Sequence, residues 1–207
     1  RFAFTRPGAH DTKAHMAFLE AAIETHPNHR FTPEVQRIAL DIIERWRALP
    51  EAQSLPPMIV HGDLKISNLL FDAQERAIGL IDLDTMAWSK LEVEMGDALR
   101  SWCSTTDEDA PNPEFDIEIF EAAIAGYRSV ATACTDAERF SMVRGLERIT
   151  LELSARFAAD ALNESYFGWN PDIAPTRGAH NLVRANNQLR LARSIGARRE
   201  ALIALAV

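Results

Sequence analysis

Cysteine is almost absent from this sequence. The two that occur in 207 residues, Cys103 and Cys134, are far apart and lack metal-ligand spacing. A disulfide framework and a thiolate metal site are thereby excluded, and the composition suits a reducing cytoplasm. Long apolar runs are also missing: none approaches the roughly 18 residues that cross a bilayer, so no membrane partner is expected. Nor is there a dense Lys/Arg block interleaved with aromatics. With a net charge of −8, nucleic acid is excluded as a partner. The opening "RFAFTRPGAHD" has neither an initiating methionine nor an apolar signal core, which leads us to expect a natural chain that begins earlier.

What is present is enough apolar material, 47% of residues, to bury a real core in one domain or lobe spanning 1–207. From Asp11 to Thr25 the residues Ala14, Phe18, Leu19, Ala22 and Ile23 share a helical face, and Pro27 follows it. Thr32 offers an N-cap before Pro33, and Val35, Ile38, Ala39, Ile42, Ile43, Trp46 and Leu49 continue a second helix. Between 57 and 85 the period changes. Met58 to Val60, Leu69 to Phe71 and Ala77 to Ile81 are short apolar runs split by polar turns, which predict strands with functional loops at their ends. Beyond Gly96 the pattern is helical again, at about 95–104 and 115–132. A capping box, Thr135-x-x-Glu138, opens a helix to about 163, and a last helix starts near His180 with His180-Asn181 as its cap. "TTDEDAPNPEFD" reads as a surface loop. The expected fold class is α+β and mainly helical, with a small β element.

Inside that β element stands "IVHGDLKISNLLFD", residues 59–72. It has the form H-x-D-x-x-x-x-N between two apolar strands, and Asp82 follows at the end of another. The order resembles the catalytic loop and metal-binding acid of kinases. Phosphoryl transfer needs an acceptor hydroxyl held in line, a group to take its proton and Mg²⁺ on the phosphate oxygens. Carboxylate and amide oxygens are suitable hard ligands for that ion. Asp63 is the candidate base, Asn68 and Asp82 the candidate metal and cofactor ligands, and Lys65 the candidate phosphate contact. His61 is expected to brace the loop by hydrogen bonding. Asp84, two residues beyond Asp82, would share its side if the strand continued, so it is either a second metal ligand or a cap of the following turn.

The loop, the I-D that follows and "EMGDALRSW" (94–102) are similar to the aminoglycoside phosphotransferase and choline kinase-like superfamily. These are small-molecule kinases with the protein-kinase fold. The resemblance implies an ATP- and Mg²⁺-dependent phosphotransferase, and makes this chain the C-terminal lobe of that fold. It also implies that Asp97 ties the loop to its helix; a plain N-cap is the other reading of that residue. "IDLDT" and the stretch from Arg156 to Ile195 resemble the branch containing N-acetylhexosamine 1-kinases, which implies a sugar or amino sugar acceptor. An aminoglycoside or amino-alcohol acceptor, or a non-catalytic binding lobe, stays open. One departure stands out: residues 1–56 read as helical, and no G-x-G-x-x-G or V-A-x-K occurs. The ATP-gripping N-terminal lobe is therefore expected elsewhere, in cis or on another chain. Trp102, Tyr166, Phe167 and Trp169 are either a sugar-stacking wall or core, and Arg100, Arg156 and Arg184 either pair internal acids or touch substrate.

Overall fold

The structure, a computed structural model, describes residues 3–207. Helix α1, Thr12–Thr25, begins where the pattern predicts, with Asp11 accepting from the Ala14 N–H at 3.0 Å. Helix α2 is Thr32–Arg47. Thr32 is not its cap: Phe31 holds that position, and the Thr32 hydroxyl instead donates to the His26 carbonyl at 2.6 Å, tying the end of α1 to the start of α2.

Two separate antiparallel ribbons follow. Strand β1, Met58–Val60, pairs with β4, Ala87–Ser89; between them β2, Leu69–Phe71, pairs with β3, Ala77–Leu80. The first three strands fall on the predicted apolar runs. The fourth was not foreseen, since three residues carry too little alternation to announce a strand. Two-stranded ribbons are marginal alone, so the geometry of the segment between them depends on what it is fastened to.

Helix α3, Leu91–Trp102, starts four residues earlier than its sequence pattern suggested. Glu92 and Glu94 broke the apolar rhythm, yet both are buried. The remaining helices are α4, Ile117–Val130; α5, Asp136–Asn163; α6, Arg177–Ala197; and α7, Arg199–Ala206. The predicted capping box is present: Glu138 N–H donates to Thr135 Oγ1, and Thr135 N–H donates to Glu138 Oε2 at 2.7 Å. Thr176, not the His180-Asn181 pair, caps α6. His180 and Asn181 lie one turn inside and are fully buried.

The central element is α5. Its first half places Met142, Val143 and Leu146 in a core with Leu99 of α3, Phe120 of α4 and Leu202 of α7. Its second half places Leu151, Ala155 and Ala158 against Leu19 of α1, Ile38 of α2 and Leu189 of α6. Where α3 crosses α5 the backbones meet through glycine. A Cβ on Gly145 would lie 2.0 Å from the Glu92 carbonyl oxygen, and one on Gly96 would lie 2.5 Å from the Gly145 carbonyl carbon. Only hydrogen fits at either position. Among the described residues no helix is long and apolar enough to cross a membrane.

Candidate active site

The loop between β1 and β2 is fastened at four points. Its backbone N–H groups at His61 and Gly62 donate to Glu94 Oε1 and Oε2, both at 2.8 Å, so one buried carboxylate on α3 grips two successive amides. Thr85 Oγ1 donates to the His61 carbonyl at 2.7 Å. The buried imidazole of His61 bonds the Ile81 carbonyl through Nε2 at 2.9 Å. A carbonyl only accepts, so Nε2 carries the proton, and Nδ1 is left buried without a partner among the described residues. Trp102 Nε1 donates to the Leu64 carbonyl at 2.6 Å. Trp102 is thus a strut under the loop, and the stacking role considered for it is not what its indole does.

Gly62 is required at its position. Its φ is +81°, and a Cβ would lie 2.8 Å from the Thr85 carbonyl oxygen. The turn therefore combines a left-handed backbone with a close approach, either of which disfavours a side chain.

Past that turn, Asp63 Oδ2 accepts from Lys65 Nζ at 2.7 Å and from Asn68 Nδ2 at 3.0 Å; the same amide also donates to the Asp63 carbonyl at 2.9 Å. The hydrogen bond to Asp63 raises the Lys65 ammonium above its ordinary range against slight desolvation, and Asp82 and Asp97 add to it. Lys65 is therefore charged over the whole physiological range. Because the Asn68 amide nitrogen is committed to Asp63, its Oδ1 is the atom left for other partners. The Asn68 carbonyl accepts the Ile81 N–H at 3.0 Å, which brings residues 81 and 82 beside it.

Asp82 sits in the left-handed region, φ 64° and ψ 55°, and its exposed carboxylate makes no hydrogen bond among the described residues. For a non-glycine residue such a backbone costs on the order of 1 kcal/mol or more. Asp84 is also exposed, within a single 3-10 turn over Leu83–Thr85. The strand stops at Leu80, so the strand alternation invoked to place Asp84 beside Asp82 does not apply. The donor set suits Mg²⁺: an amide oxygen and a neighbouring free carboxylate are hard ligands, and this ion ordinarily takes one or two protein ligands and keeps its other positions for water and phosphate oxygens. No cluster of three or more His, Cys, Asp or Glu side chains is gathered for a metal among the described residues.

Asp97 does not tie the loop, nor does it cap α3. It lies within the helix and pairs with Arg100 at 3.0 Å; Glu94, one turn earlier, makes the connection expected of it. Arg100 also reaches Glu108 at 2.9 Å. Burial works against its charge, but these two acids outweigh that and raise its pKa.

Beside Asp63 opens a cavity of about 1240 Å³, which Lys65, Arg100, Arg156, Tyr166 and Phe167 also line. Trp169 is not on its wall. The segment carrying Tyr166 and Phe167 is shaped by Asp160. That buried carboxylate accepts the N–H groups of Ser165, Tyr166 and Phe167, each at 2.9 Å, and the Asn181 amide at 2.8 Å. Behind it, His180 Nδ1 accepts the Asn170 N–H at 3.0 Å, while Nε2 donates to Asp109 at 2.7 Å. Asp109 also receives Arg184 at 2.6 Å. Burial pushes its carboxyl up, yet Arg184 and His180 prevail and hold it low. Residues 105–116 are therefore a latched loop rather than a free one. Sequence reading missed Glu94 and Asp160. The usable signal for Glu94 was an acid at an apolar helix position; Asp160 gave none. A family model describing the phosphotransferase enzyme family matches residues 2–132, a span holding the loop, both ribbons and α1 to α4, and the chain belongs to that family as a mainly helical α+β lobe of a kinase-like fold.

Proposed function

We propose that the protein is an ATP- and Mg²⁺-dependent kinase that phosphorylates a hydroxyl of a small molecule of the sugar or amino sugar type. The observation that carries this reading is the placement of Asp63: its carboxylate is held by Lys65 and Asn68 at the lip of a cavity large enough for a monosaccharide. Asp63 orients the acceptor hydroxyl and takes its proton as the oxygen attacks. Lys65 places a permanent positive charge where the transferring phosphoryl group would gather negative charge. Asn68 Oδ1 and the Asp82 carboxylate would hold the metal, which neutralises phosphate oxygens when bound; Asp84 is the third candidate ligand. His61 keeps the loop in shape through Ile81 and has no proton-transfer role.

Residues 12–47 form two helices and bring no phosphate-covering glycine loop. The reading therefore assigns the triphosphate grip to a further module, in the same polypeptide or on another chain, and places the enzyme in the cytoplasm. The test is Asp63→Asn. Loss of a positioned base lowers turnover by about 10²–10⁴-fold, and because the amide still accepts from Lys65 the melting temperature is expected to hold. Unchanged turnover across a panel of sugars on which the wild type is active would sink the proposal.

A further inference from the structure

The cavity that holds Asp63 is lined by many charges, and their pairing is uneven. Lys65 occupies Asp63, while Arg100 occupies both Asp97 and Glu108. Glu152 is taken by His10, Thr12 and Arg148, and Asp160 by three backbone N–H groups and Asn181. Every carboxylate on the wall thus already has partners within the protein. Two cations on the same wall are unlike them: among the described residues Arg6 and Arg156 have no acid within ion-pair distance. Arg156 stands between Glu152 and Asp160, one helical turn from each, yet neither takes it. Its guanidinium lies instead over the rings of Tyr166 and Phe167, 5.7 and 5.5 Å from their centroids. Stacking of this kind holds the plane of the group and leaves its edge N–H donors unused.

Guanidinium donors left unused on a wall whose carboxylates already have partners favour an anionic ligand over a cationic one. We infer that the phosphoryl acceptor is a hydroxylated acid, bearing a carboxylate or a phosphate ester that the Arg156 guanidinium receives while Asp63 addresses its hydroxyl. This rests on the phosphotransferase reading of the same cavity and narrows its acceptor away from polycationic amino sugars. Arg156 acts as a specificity determinant. A planar fork with two parallel donors matches either anion in a bidentate contact, and Arg6 adds long-range attraction to the same group.

The test is calorimetric titration of the full chain, without nucleotide, with three sugars of one ring type that differ in charge: D-glucuronate, D-glucose and D-glucosamine. Glucuronate is expected to bind at least about tenfold tighter than glucose, with glucosamine weakest. Arg156→Gln should erase that preference and Arg156→Lys restore part of it, each melting near the wild type. In parallel, inorganic phosphate and glucuronate should each shift the Arg156 Nε–H resonance, assigned by its absence in Arg156→Gln. Tighter binding of glucosamine, an unchanged ranking in Arg156→Gln, or an unmoved Arg156 resonance with both anions would each overturn the inference. Binding requires no transfer. Binding of the acid with no phosphorylation of any of the three sugars by the holoenzyme therefore counts against the kinase reading alone, whereas turnover confined to glucose or glucosamine counts against this inference alone.

Discussion

Replacing Glu94 by Gln isolates the contact that holds the loop. The wild-type carboxylate accepts two backbone N–H groups at 2.8 Å, His61 through Oε1 and Gly62 through Oε2, in a buried site. A hydrogen bond to a charged group contributes about 1.5–3 kcal/mol, and a buried donor stripped of its partner costs a comparable amount. Glutamine keeps one acceptor oxygen but turns an NH₂ toward the other amide, so one bond becomes a donor-to-donor clash. The expected loss is about 3 kcal/mol, or about 6–12 °C in Tm at the 2–4 °C per kcal/mol usual for a chain of this size. Thermal unfolding followed by circular dichroism reads the global effect. Amide exchange reads the local one: protection at His61 and Gly62 should fall about 100-fold if the loss is felt there. Asp97→Asn is the matched control. Among the described residues its carboxylate is hydrogen-bonded by the i+3 Arg100 alone, which retains Glu108, and it meets Lys65 only through longer-range attraction, so its effect should stay near 1 kcal/mol. If Glu94→Gln melts within about 2 °C of the wild type and leaves exchange at 61 and 62 unchanged, the loop is not held by this carboxylate and the reasoning fails.

Three further outcomes follow from the same contacts. Gly145→Ala puts a Cβ 2.0 Å from the Glu92 carbonyl oxygen; since backbone cannot swing aside, a loss of about 3 kcal/mol or more is expected in urea unfolding, and an unaltered midpoint would show that α3 and α5 do not cross as described. Gly62→Ala combines a φ of +81° with a contact of 2.8 Å to Thr85, so a loss of about 1–3 kcal/mol is expected together with a large fall in turnover at unchanged helix content. Glu152 sets an acid limit. Burial pushes its carboxyl up, but His10, Thr12 and Arg148 outweigh burial and hold it below the ordinary value of 4.5, with His15 also facing it at 3.9 Å. A carboxyl depressed in the folded state contributes stability that is complete above its unfolded value and is lost as pH falls through the folded one. Unfolding free energy measured from about pH 6 down to 3 should therefore drop at the acid end, and Glu152→Gln should be less stable at neutral pH with a shallower acid limb; an identical slope would remove Glu152 from the account.

What could be read from the sequence was what is local. The loop at 61–68 is contiguous, so the spacing of His61, Asp63 and Asn68 was visible, and so were the apolar runs of β1 to β3. The capping box at Thr135 and Glu138 is likewise a four-residue signal. Readings failed where a polar residue is satisfied at long range. Glu94 looks like a surface acid until its partners, 32 and 33 residues away, are known. The same holds for Glu92, whose charge is met by Arg144 and Arg148 across the α3–α5 crossing, and this masked the true start of α3. His180 and Asn181 read as caps because caps are where such residues usually sit, yet both buried side chains are spent on bonds to Asp109 and Asp160. β4 exists because β1 on one side and the segment at Phe4 and Thr5 on the other offer it partners.

The two halves of the site differ in how they are built, and the difference bears on what each can vary. The loop that carries Asp63 hangs from α3, and α3 is positioned by a glycine-to-backbone crossing with α5 that tolerates no side chain. A chain of polar contacts, from Glu92 through Arg148 to Glu152 and His10, braces that crossing and ties it to the segment before α1. Displacement of α5 by even one methyl group would therefore be transmitted through Glu92 and Glu94 to the amides before Asp63. The far wall of the cavity is different: Arg156 projects from α5 after that crossing, and Tyr166 and Phe167 ride on a loop whose conformation depends on the single carboxylate of Asp160. Side chains there can change without touching α3. The loop lies inside the span matched by the family model, residues 2–132, while Arg156, Asp160 and the aromatic pair lie beyond it. This is the arrangement expected if the chemistry is fixed by the crossing and the choice of acceptor is left to the far half of α5 and the loop that follows it.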